Sequence, residues 1–141
     1  MPRHNTLKGL IMEQYAVSLG EAIKRYWTDN WTVKGRASRS EFWKGSFGNA
    51  VLLGIAFYIL GLLLATPELA MLFVTLQTIV SLTTTWLGTI LTMRRLHDIG
   101  KSGWWYWIAL IPLVGSILLL IWMFRASDAT ENQYGPTPNM K

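Results

Sequence analysis

Cysteine is absent from this 141-residue chain, which excludes disulfides, thiolate metal sites and cysteine nucleophiles together. Histidine occurs only at His4 and His97, too few for a metal centre built on imidazoles. There is no glycine-rich phosphate loop and no G-x-S-x-G nucleophile elbow. The most informative lack is of charge. Residues 45–67, 69–93 and 102–124 contain no Asp, Glu, Lys, Arg or His. Each run exceeds the roughly 20 apolar residues a helix needs to cross a bilayer. Intramembrane ionisable groups mark proton relays and ion routes, so their absence argues against a self-contained pump or secondary transporter.

What is present fits an all-α membrane protein with about three transmembrane helices, spanning residues 42–65, 67–93 and 103–124. The net charge of +5 does not point to nucleic acid, because the basic residues cluster beside the apolar runs. Residues 1–34 form an N-terminal segment, 35–125 the membrane domain and 126–141 a polar tail rich in turn formers. The first apolar run begins too late for a cleavable signal peptide and is expected to remain as an anchor. Arg3, Lys8, Lys24, Arg25, Lys34, Arg36, Arg39 and Lys44 precede the first span, and Arg94, Arg95 and Lys101 follow the second. Only Arg125 and Lys141 remain for the other side. With three spans, the positive-inside rule predicts a cytoplasmic N-terminus and a C-terminus across the membrane.

Local signals place the helix ends. Met12, Tyr15, Ala16, Leu19, Ile23, Tyr26 and Trp27 share one helical face, which defines a cytoplasmic amphipathic helix. Such a helix either lies in the membrane interface or packs on the ends of the spans. Ser38 and Glu41 have capping-box spacing before the first run, with Trp43 as an interfacial anchor. Thr66, Pro67 and Glu68 suit the start of the second helix. Along that helix Gln77, Ser81, Thr84, Gly88 and Thr92 form a stripe expected to contact another helix. Gly100 suits a left-handed cap. Asp98 sits at the negative end of a helix dipole and therefore needs a cationic partner: Arg94, Arg95, Arg36 or Arg39. Trp104, Trp105, Tyr106 and Trp107 make an interfacial belt, and Pro112 with Gly115 predicts a kink. The alternative for this third run is a re-entrant hairpin turning at residues 112–115.

Four segments carry a family resemblance: Gly35-Arg-Ala-Ser-Arg-Ser-Glu-Phe-Trp43, Arg94-Arg-Leu-His-Asp-Ile-Gly-Lys-Ser-Gly-Trp104, Ile111-Pro-Leu-Val-Gly115 and Glu131-Asn-Gln-Tyr-Gly-Pro-Thr-Pro138. In this order they resemble the domain of unknown function 805 family. That resemblance implies a small bacterial inner-membrane protein and supplies no reaction.

The functional candidates therefore lie on one face. Arg36, Arg39, Lys44, Arg94, Arg95 and Lys101 are expected to gather there, with Glu41 and Asp98 as structural ion-pairing partners. As a purely structural set they clamp the helix ends together; as a functional set they bind acidic lipid or a partner. No cofactor is expected. The leading expectation is a non-enzymatic lipid- or protein-binding module of the inner membrane, with a homo-oligomer or a membrane-protein partner and no nucleic acid. A small pore or transport accessory comes second. An enzyme acting on lipid headgroups through His97 and Asp98 comes third, since adjacent helix residues point in different directions.

Overall fold

The computed structural model describes residues 17–64 and 66–138, all of whose regular elements are helical. Helix α1, Leu19–Thr28, begins at Ser18, whose hydroxyl accepts the Glu21 amide at 3.2 Å. Residues 12–16, the first part of the expected amphipathic segment, lie outside the described residues. Helix α2, Arg39–Leu63, starts at Ser38, whose hydroxyl accepts the Glu41 amide at 3.1 Å. Its 25 residues extend about 37 Å, more than the roughly 30 Å hydrocarbon core of a bilayer.

Helix α3, Pro67–Asp98, has Pro67 in its first turn. Thr66 occupies the cap position, but its side chain makes no cap bond, so the proline rather than the threonine sets this boundary. At the far end Gly100 adopts φ +71°, which stops the helix. Among the described residues, helices α2 and α3 are the two that are long and apolar enough to cross a membrane.

The third apolar run folds as the hairpin. It comprises a 3₁₀ helix, Gly103–Leu110, and a helix α4, Val114–Phe124. At about 2.0 and 1.5 Å per residue, each arm reaches only about 16 Å, half the hydrocarbon thickness. Leu113, at φ 61° and ψ −66°, forms a γ-turn in which the Val114 amide donates to the Pro112 carbonyl at 2.7 Å. Gly115 follows because the arms nearly touch there. A Cβ on it would lie 1.8 Å from the Ile108 carbonyl oxygen. Trp105 and Trp122 close the other end of the hairpin, edge to face at 5.6 Å.

The hairpin brings the tail back toward the end at which the third run begins. Residues 126–138 return to the end of the molecule where α2 starts and α3 stops, and the Asp128 amide donates to the Asp98 carbonyl at 3.0 Å. The packed interior lies at that same end. Tyr26, Ala37, Leu87 and Leu91 form one cluster, Leu96, Ile99 and Met123 another, and Phe42 touches both. At the opposite end, side chains such as Ile55, Leu62, Met71 and Val74 are exposed, as suits surfaces facing lipid.

Helix α1 packs its apolar face across α2 and α3. Gly45 and Gly48 make room: added Cβ atoms would meet the Ala22 carbonyl at 3.3 Å and Leu19 at 2.8 Å. The Tyr26 hydroxyl donates to the Thr84 carbonyl at 2.7 Å, and the Trp27 indole donates to Asn49 Oδ1 at 2.9 Å. The small-residue stripe of α3 therefore behaves differently from a tight helix seam. Gln77 and Ser81 are exposed, Gly88 faces the Tyr26 hydroxyl, and Thr84, Gly88 and Thr92 border an open cleft between α2 and α3.

Candidate functional site

Asp98 ends α3 with a fully buried carboxylate, at the pole of the helix dipole that disfavours an anion. Two arginines hold it there. Arg36 Nε donates to Oδ1 at 3.0 Å, and Arg95, three residues earlier on the same helix, bonds Oδ2. Arg94 is not a partner of Asp98. Its Nη1 donates to Asn30 Oδ1 at 2.7 Å, its Nη2 to the Arg36 carbonyl at 3.3 Å, and it lies 3.7 Å from Glu41.

Arg36 uses all five of its N–H donors. Besides Oδ1 of Asp98 it reaches the carbonyls of Asp98 at 3.3 Å, Asp128 at 2.7 Å, Thr130 at 2.8 Å and Gly135 at 3.3 Å. Arg95 bonds the Arg125 carbonyl and also reaches that of Met123 at 3.4 Å. These bonds draw the start of α2, the end of α3 and the tail onto one ionic centre. Desolvating two guanidinium groups and a carboxylate is costly, and the nearly complete set of acceptors offsets it.

Glu41 is buried between Arg25, 3.5 Å from Oε2, and Arg94, 3.7 Å from Oε1. Oε1 has no hydrogen-bond donor among the described residues. Above it, the polar side of α1, Arg36 and residues 136–138 enclose a cleft of about 690 Å³. Tyr26 projects from the opposite side of α1; burial pushes its phenol above the ordinary range, so it remains a neutral donor.

His97 is not paired with Asp98. Its Nδ1 lies 3.2 Å from the Gly35 carbonyl, and its ring stacks on Tyr134 at 3.9 Å with planes 3° apart. The Asp98 carboxylate is taken up by arginines, so no His–Asp acid–base couple forms.

The remaining cations lie at the perimeter. Arg39 is exposed and reaches the Phe124 carbonyl at 3.4 Å. Lys44 Nζ donates to the Val17 carbonyl at 2.7 Å. The Lys101 ammonium lies 5.6 Å from the Trp105 ring and 4.4 Å from Trp122, within cation–π range. The six cations thus divide into three buried and three peripheral. Sequence reasoning did not single out Asn30, Asn49 or Asn132, whose Nδ2 donates to the His97 carbonyl at 2.9 Å. Asn132 lies within the fourth motif segment, which was a usable signal; Asn30 and Asn49 carry none.

The sequence profile described as "Protein of unknown function (DUF805)" matches residues 30–136, which include every residue of the ionic centre. Similar curated proteins include "Inner membrane protein YhaH" of Escherichia coli (strain K12), 31% identical over 77% of this chain and 88% of that protein. Another is "Inner membrane protein YhaI" of the same strain, 34% identical over 74% of this chain and 83% of that protein. No solved structure matches the chain.

Proposed function

This chain belongs to the DUF805 family, whose members named above are inner-membrane proteins, and from that premise we propose that it is a non-enzymatic membrane module that binds acidic lipid. Both the N-terminal segment and the tail then lie in the cytoplasm. The positive-inside rule supports this side, because every described Lys and Arg sits at the clamped end while the 66–68 turn has none.

One observation carries the reading. Arg39, Lys44 and Lys101 have no carboxylate within ion-pairing distance among the described residues, whereas Arg36 and Arg95 are consumed by Asp98. The three peripheral cations are held by neutral partners, two carbonyls and two tryptophan rings, beside an interfacial aromatic belt. Cations at that level attract acidic lipid by about 1 kcal/mol each.

The test compares thermal stability in nanodiscs of phosphatidylglycerol and of phosphatidylcholine. The acidic lipid is expected to raise the melting temperature more, with the difference shrinking as salt rises. Replacing Arg39, Lys44 and Lys101 together by glutamine should remove the difference between the two lipids, whatever the lost carbonyl and ring contacts cost in phosphatidylcholine alone. Equal stabilisation by both lipids would reduce these cations to an orientation signal.

A further inference from the structure

Between α2 and α3 lies a cleft of about 430 Å³ that contains no charged side chain. That volume falls within the range of small-ligand sites, and its lining is the usual mixture for one: apolar walls with a few placed polar groups. Phe42 and Leu53 supply apolar wall. The threonines supply no donors, because Thr84 and Thr85 bond the Ser81 carbonyl, Thr89 that of Thr85 and Thr92 that of Gly88.

Asn49 is different. Its side chain is 4% exposed, and the Trp27 indole, which can only donate, fixes Oδ1 toward α1. The Nδ2 group is left with no partner among the described residues, as is the neighbouring Ser46 hydroxyl. Asn49 lies six residues, about 9 Å, beyond the interfacial Trp43. A donor left unused at that depth in lipid is costly unless something accepts from it.

We propose that this cleft binds one diacyl glycerolipid, with an ester carbonyl accepting from Asn49 Nδ2 and Ser46 and an acyl chain lying on Phe42 and Leu53. The ester is the neutral acceptor a bilayer offers near its headgroups, and the uncharged lining selects for it over the phosphate. The site does not depend on the peripheral cations, so it stands or falls separately from the acidic-lipid reading.

Native mass spectrometry of the detergent-purified protein tests it with two zwitterionic probes: diester phosphatidylcholine and its diether analogue, which lacks the carbonyls. One diester lipid is expected to be retained about fivefold more strongly than the diether, the worth of one hydrogen bond. Ser46→Ala should narrow that preference. Ala50→Phe should abolish retention of either lipid by filling the cleft from an exposed position with no structural partner. Ile55→Phe, on the exposed surface outside the cleft, should change nothing. Equal retention of diester and diether overturns the proposal. So does undiminished retention by Ala50→Phe, or a cleft occupied by a second copy of the chain.

Discussion

Arg36 and Asp98, 62 residues apart in sequence, meet at 3.0 Å with both side chains fully buried. Removing Asp98 strands two buried guanidinium charges, and removing Arg36 leaves the buried carboxylate with Arg95 alone. Arg36→Met or Asp98→Asn is expected to cost about 3–5 kcal/mol, the usual penalty for breaking a buried pair from one side. The double variant should cost less than the two losses added together, read from melting temperatures in detergent. Strict additivity would mean the pair contributes no mutual stabilisation. Arg36→Lys should also fail to restore stability, because a lysine has three donors where five are used.

Gly115→Ala should prevent the hairpin from closing, since its Cβ would collide with the Ile108 carbonyl. At Gly54, on the exposed part of α2, an added Cβ would meet nothing within 4 Å, so Gly54→Ala should leave stability unchanged. A large loss of melting temperature for Gly115→Ala alone distinguishes a close approach from a general aversion to alanine. Leu113→Gly should raise stability, because a leucine at positive φ is strained by about 1–3 kcal/mol and glycine is not.

Tyr26→Phe removes the hydroxyl that reaches the Thr84 carbonyl and should cost about 0.5–1.5 kcal/mol. Gly48→Leu should cost more, by displacing α1 from α2. Faster proteolysis within residues 17–34 than in the parent would report that displacement; unchanged proteolysis would separate α1 docking from these contacts.

For topology, single cysteines at the exposed Glu68 and Glu131 are the informative pair, since the chain has none of its own. In intact cells a membrane-impermeant thiol reagent should label Glu68→Cys and spare Glu131→Cys until the membrane is opened. Labelling of Glu131→Cys alone would invert the proposed orientation.

Much of this architecture is legible from local chemistry. The absence of charge marks α2 and α3, Ser38 marks where α2 begins, and Gly100 marks where α3 stops. An anion at the end of a helix announces that Asp98 needs cations. The third apolar run is harder, because a span and a hairpin have the same hydropathy. What separates them is nonlocal: Arg39 and Arg95 hold the carbonyls of residues 123–125 beside the start of α2. Likewise, nothing in residue identity divides six cations into buried and peripheral sets. The acceptors that draw Arg36 inward are mostly backbone carbonyls, which every residue possesses. The stripe from Gln77 to Thr92 follows helical spacing, but Tyr26 enters between the helices at the level of Thr84 and Gly88, leaving a cleft below it.

The strap of residues 128–135 over Arg36 also orders events during synthesis. Three of that guanidinium's five acceptors, the carbonyls of Asp128, Thr130 and Gly135, are the last part of the clamp to leave the ribosome. Helices α2 and α3 can already sit in the bilayer while the ionic centre between them stays incomplete. A chain broken off before Asp128 would leave Arg36 with two of its five acceptors, the carboxylate and the carbonyl of Asp98.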